Sequence, residues 1–193
     1  MNSLCRVWCV LAALVALACA SARGPKPLSR RDAVVYAGSP IDDGIPPSIV
    51  SRVLGDSGAL QYYADMLDGR VKANRFCDTS IMLDYLGLSG QPRFVSTFLK
   101  FARPRVTIRE RYVFWGPAVF GLTRLSDLPA AHDRLLVLGD STVEPALRDM
   151  LVEILARWNS ASAREILRQV SLAGVRSDTR TRVDSALSHE ARP

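Results

Sequence analysis

The chain has 193 residues and a formal net charge of +6, with 25 basic against 19 acidic side chains, and 48% of its residues are hydrophobic. That is enough apolar material for one cored domain and too much for a disordered chain. Four cysteines, only one of them beyond residue 22, exclude a disulfide-stapled scaffold and a cysteine-rich zinc module.

The N-terminus, MNSLCRVWCVLAALVALACASARGPK, carries one basic residue, then an apolar run from Val7 to Ala18, then Ala20-Ser21-Ala22. This pattern predicts a secretory signal peptide over 1–22 with the mature chain starting at Arg23. The run is short for a span of about 20 apolar residues, so no stable membrane anchor is expected. Export removes Cys5, Cys9 and Cys19 and leaves Cys77 alone, either buried or paired with another chain. No Asn-X-Ser/Thr sequon is present.

Residues 23–46 are rich in proline, glycine and charge and show no amphipathic period, which predicts a flexible arm. Arg30-Arg31 within it is a dibasic pair, the one feature shared with a hormone precursor. A globular domain is expected over 47–174, followed by a basic tail over 175–193.

Ser48–Leu54 reads as a short helix, and Ser57 as the cap of a second, GALQYYADMLDGRV, with Leu60, Tyr63, Leu67 and Val71 on one face. Residues 81–88, IMLDYLGL, are too short to assign to helix or strand. Their Leu83-x-x-Leu86-x-Leu88 spacing resembles leucine motifs that engage groove-bearing partners, and a core strand or helix is the reading preferred over it. Pro104 ends whatever helix Phe94–Leu99 forms.

Residues 93–111 hold Arg93, Lys100, Arg103, Arg105, Arg109 and Arg111 against Glu110. From Arg105 to Trp115 the apolar positions Val106, Ile108, Tyr112 and Phe114 alternate with Thr107, Arg109 and Arg111, which predicts a half-buried strand with a basic outer face. Gly116-Pro117 would turn it back into a partner strand over 118–122, and 134–138 offers a third strand. The fold expected is therefore α+β: a small helix-rich single domain with a short antiparallel strand pair. Arg105, Arg109, Arg111 and Trp115 form the first candidate partner-binding surface, and Leu83, Leu86 and Leu88 the second.

LLVLGDS, ending at Ser141, resembles the first block of the SGNH or GDSL hydrolases, in which a strand delivers a nucleophilic serine. The resemblance implies a serine hydrolase whose site is completed by a glycine, an asparagine and an aspartate–histidine pair three residues apart near the C-terminus. After Ser141 this chain offers only Asn159 and His189, and the histidine stands five residues beyond Asp184. His132 precedes the serine. A serine hydroxyl needs a positioned base to become a nucleophile, so no catalytic residue is assigned. Ser141 or Thr142 instead reads as a helix cap, with Glu144 completing a capping box and Pro145 in the first turn.

The helix so begun carries Val143, Leu147, Met150, Leu151, Ile154, Leu155 and Trp158 at three-four spacing. Ser162-Ala-Arg-Glu165 opens another amphipathic run that Gly174 can close. With no nucleotide loop and no metal-ligand cluster, no cofactor or metal is expected, and nucleic acid is not the expected partner. The reading is a secreted, non-enzymatic protein that binds a protein partner, an acidic one suiting the arginines. A leader, this size and the missing motifs make the chain similar to the small secreted effectors of plant-pathogenic fungi such as smuts, which implies a virulence role in host tissue. A viral secreted glycoprotein or a periplasmic protein shares those traits. The alternatives are a hydrolase using Ser141 and a hormone precursor cut at Arg30-Arg31. The oligomeric state is left open.

Overall fold

The structure is a computed structural model, and it describes residues 27–38, 47–74, 76–158 and 160–188. The expected signal peptide lies outside the described residues, as do Asn159 and His189. Every regular element among the described residues is helical, so the fold is all-α and the expected α+β class is wrong.

The first three helices among the described residues are α1 (Arg30–Ala37), α2 (Pro47–Leu54) and α3 (Ser57–Leu67). Asp56, not Ser57, caps α3, accepting from the backbone N–H groups of Gly58 and Ala59 at 2.9 and 3.0 Å, and a third N–H, that of Leu28, reaches its other oxygen. Burial pushes the Asp56 carboxyl up, but these bonds and nearby Arg52 outweigh it and hold the group below its ordinary value. The Tyr63 hydroxyl donates to the Ala33 carbonyl at 2.7 Å, and Ala33 and Ala37 are buried. Residues 30–37 are thus a docked helix where a flexible arm was expected. The dibasic pair lies in its first turn, a backbone conformation that a processing protease would have to unwind.

A stack of helix pairs follows. Its members are α4 (Thr79–Ser89), α5 (Val95–Phe101), α6 (Ile108–Glu110) running through a π-helical turn (Arg111–Trp115) into α7 (Gly116–Arg124), α8 (Pro129–Leu138), α9 (Pro145–Trp158), α10 (Ala161–Gln169) and α11 (Ser177–Ser188). Helices α4, α7, α9 and α11 pack in succession as one layer, and α5, α8 and α10 as the other. Each element touches mainly its neighbours in this series, the quasi-one-dimensional plan of helical repeats. Each of three layer helices buries an aliphatic pair three residues apart: Leu83 and Leu86 in α4, Val119 and Leu122 in α7, and Val152 and Leu155 in α9.

The expected strands fall inside this stack. Residues 105–115 form a loop, a capped turn and the π turn; 118–122 lie in α7; 134–138 are the end of α8. The physical reason is lateral packing. Strand 118–122 would have to bring Gly121 to a sheet neighbour, whereas here Gly121 lets α7 cross α4 at Gly87 and receive the Phe98 ring: a Cβ on Gly121 would stand 2.5 Å from Phe98 Cε1. Gly90 closes α4 in the left-handed conformation at φ 60°, which favours glycine.

The tail also docks. Asp149 of α9 accepts from the Arg176 backbone N–H at 3.1 Å and from Arg176 Nε at 2.6 Å, just ahead of α11, whose Thr179, Val183 and Ala186 are buried. Buried Arg148 donates to the carbonyls of Val143 and Ser171, tying together the loops on either side of the α9–α10 pair.

Candidate functional site

The loop 102–107 and the helical run it enters form an edge of the stack. Thr107 and Glu110 make a reciprocal capping box, the Thr107 hydroxyl accepting from the Glu110 N–H at 3.3 Å and the Glu110 carboxylate from the Thr107 N–H at 2.8 Å. Those bonds from Thr107, aided by Arg103 at 3.0 Å, hold the Glu110 carboxyl below the usual carboxylate range. The Trp115 indole N–H donates to the Arg103 carbonyl and Arg134 to the Ala102 carbonyl, both at 2.9 Å. The loop is therefore fixed from two neighbouring elements.

On this frame the four arginine-segment candidates separate. Arg105 and Arg109 are exposed and have no hydrogen-bond or ion-pair partner among the described residues. Beside them Ile108 and Tyr112, one helical turn apart, are 74% and 66% exposed. Arg111 turns inward: it is buried, its Nη2 meets Glu144 Oε1 at 2.7 Å, and its Nε is buried without a partner. Trp115 is fully buried, not at a rim. A strand would place Arg109 and Arg111 on one face; a helical run separates them by more than half a turn.

Arg105 also borders a groove of about 470 Å³ lined by Pro104, Leu136, Val137, Asp140, Thr142 and Val143. The Asp140 carboxylate accepts the Thr142 backbone N–H at 2.8 Å, and this bond, with one from the Thr142 side chain, holds it below its ordinary value. Ser141 is exposed in this turn, and α9 begins only at Pro145, so Ser141 does not cap it. Among the described residues no histidine lines the groove; His132 sits half-buried on α8. A serine triad is not assembled among the described residues.

The leucine candidates are core. Leu83 and Leu86 are fully buried in α4 and Leu88 is half-buried, so this segment offers no surface motif to a groove. Cys77 is half-buried, and burial pushes its thiol up, which lowers its thiolate fraction. Among the described residues no group of three His, Cys, Asp or Glu could hold a metal ion, and no helix is long and apolar enough to cross a membrane.

Sequence reasoning missed Ile108 and Tyr112 as surface residues by assigning them to a buried strand face. The Thr107-Ile-Arg-Glu110 capping box, read as such, would have set the helical phase. It also missed the cluster of Arg124, Phe120 and Trp158 at the other end of α7.

The class these features define is a two-layered stack of helix pairs with an unneutralised basic and apolar edge. Comparison with protein-family models, curated proteins and solved structures finds no match for the chain.

Proposed function

We propose that this chain is an exported, non-enzymatic scaffold that binds an acidic protein partner through Arg105, Ile108, Arg109 and Tyr112. The observation that carries the reading is the pairing of two unneutralised guanidinium groups with two exposed apolar side chains on a turn whose backbone is fixed. Cations steer and select an acidic surface, and an exposed aromatic beside them supplies contact area at low conformational cost. Helix-pair stacks suit this task because neighbouring repeats hold the surface rigid. Export rests on the leader pattern of residues 1–22, and a role in host tissue would be one use of such a scaffold.

The test is comparative capture. Mature wild-type protein and the Arg105→Glu/Arg109→Glu variant are immobilised and exposed to native secretions or host tissue at low and high salt. The wild type should retain a set of acidic proteins, salt should release them because exposed charges are screened within about 10 Å at 0.1 M, and the folded variant should retain none of them. Equal retention by the variant would refute the assignment.

A further inference from the structure

The helices of the first layer end at the edge opposite loop 102–107, and three consecutive ends meet there. Gly90 caps α4, Arg124 ends α7 and Trp158 ends α9. The Arg124 guanidinium lies 4.7 Å from the Trp158 ring centroid and 5.9 Å from that of Phe120, and the two rings meet edge to face at 6.3 Å. Cation–π contact thus holds the guanidinium in place. Its Nε is buried with no hydrogen-bond partner, and no carboxylate pairs with it among the described residues. Gly90 packs beside it: a Cβ there would meet Arg124 Nη2 in ordinary contact at 3.7 Å. Trp158 is 38% exposed, which opens the cluster to solvent.

A buried guanidinium Nε rarely stays without an acceptor, because its N–H loses water and gains no bond in return. The negative ends of the helix dipoles favour a cation at this edge without supplying a bond to its Nε. We propose that Arg124, Phe120 and Trp158 form a binding site for a carboxylate, the side chain of an aspartate or glutamate presented by a protein partner. Ring contact stabilises the planar cation, and the two Nη groups, which are not fully buried, present paired N–H bonds that match two oxygens in one plane. The cluster holds one cation, which balances one carboxylate; a phosphate dianion would be left half neutralised. The exposed Trp158 ring belongs to the residue types that dominate interface energetics. This site is separate from the Arg105–Tyr112 surface and does not depend on it.

The experiment is a titration of the ¹⁵N-labelled mature protein with an acetylated, amidated tetraglutamate peptide, following the Trp158 indole and Arg124 Nε–H resonances. Inorganic phosphate at matched ionic strength is the second arm. The Trp158 resonance is assigned with Trp158→Phe. The peptide should shift both resonances saturably, phosphate should not, Arg124→Gln should abolish the indole shift, and Arg124→Lys should lose most of it because an ammonium lacks the planar fork. Arg105 and Arg109 are intact throughout, so a failure here is distinct from a failure of the capture experiment. Unmoved wild-type resonances, an equal response to phosphate, or a shift retained in Arg124→Gln would each overturn the proposal. The wild-type titration decides even where a variant does not fold.

Discussion

Helix α4 and the run from Arg105 to Tyr112 contain similar apolar residues, yet one fills the core and the other faces solvent. Leu83 and Leu86 are fully buried because α3 packs on one side of α4 and α7 on the other. Ile108 and Tyr112 belong to the turn by which the chain enters the next pair, and among the described residues no helix covers that side of them. The difference teaches that burial here is set by place in the stack. A leucine triplet between two neighbours is core however much it resembles a recognition motif, and an isoleucine at an uncovered turn stays exposed.

Substitution at each place sharpens the contrast. Leu86→Ala should cost about 2–5 kcal/mol in denaturant unfolding, whereas Ile108→Ala should stay within about 0.5 kcal/mol; similar losses at the two sites would break the comparison. At the crossing of α4 and α7, Gly121→Ala should cost about 1–3 kcal/mol by overpacking against Phe98, and a neutral melt would show that the helices do not approach so closely.

The docked tail gives a smaller, conditional effect. Burial pushes the Asp149 carboxyl up, but hydrogen bonds from Thr179 and Arg176 outweigh it and hold the group below its ordinary value. Its stabilisation of α11 is therefore present above the unfolded pKa of about 3.9 and is lost as pH falls through the lower folded value. Protection factors of the Ser177–Ser188 amides, corrected for the intrinsic pH dependence of exchange, should fall on that descent and Asp149→Asn should flatten the response; protection indifferent to pH would contradict the assignment. The smallest effect belongs to Ser141→Ala, within about 0.5 kcal/mol because that serine caps nothing.

The sequence was legible where periodicity and capping agreed. Residues 143–158 carry a three-four stripe that becomes α9, and 48–54 and 57–67 were recognised, with caps displaced by a residue or two: Asp56 for Ser57, and Ser160, accepting from Ala163 at 3.1 Å, for Ser162. Residues 105–115 were misread because β-branched and aromatic side chains at alternating places satisfy period two, while Ile108 and Tyr112 also satisfy one helical turn. The π turn then shifts the phase and hides the continuity with α7. Residues 134–138 suffered similarly: their apolar run suggests a strand, but Pro129 opens a helix whose Ala131, Leu135 and Leu138 are buried and whose Val137 is 50% exposed. The buried aliphatics Leu86, Leu122 and Leu155 stand in three segments whose kinship in the layer shows only once the helices are packed. Arg124 and Trp158 could not be joined by reading, since only the stack brings their helix ends together.

Arg109 and Arg111 test the helical account most directly, because a strand would solvate both and a helical run buries only the second. Each is replaced by glutamate and the thermal or urea transition is followed. Arg109→Glu should unfold like the wild type, within about 0.5 kcal/mol. Arg111→Glu should lose about 3–5 kcal/mol, since it sets a buried carboxylate against Glu144. Indistinguishable transitions for the two variants would contradict the account.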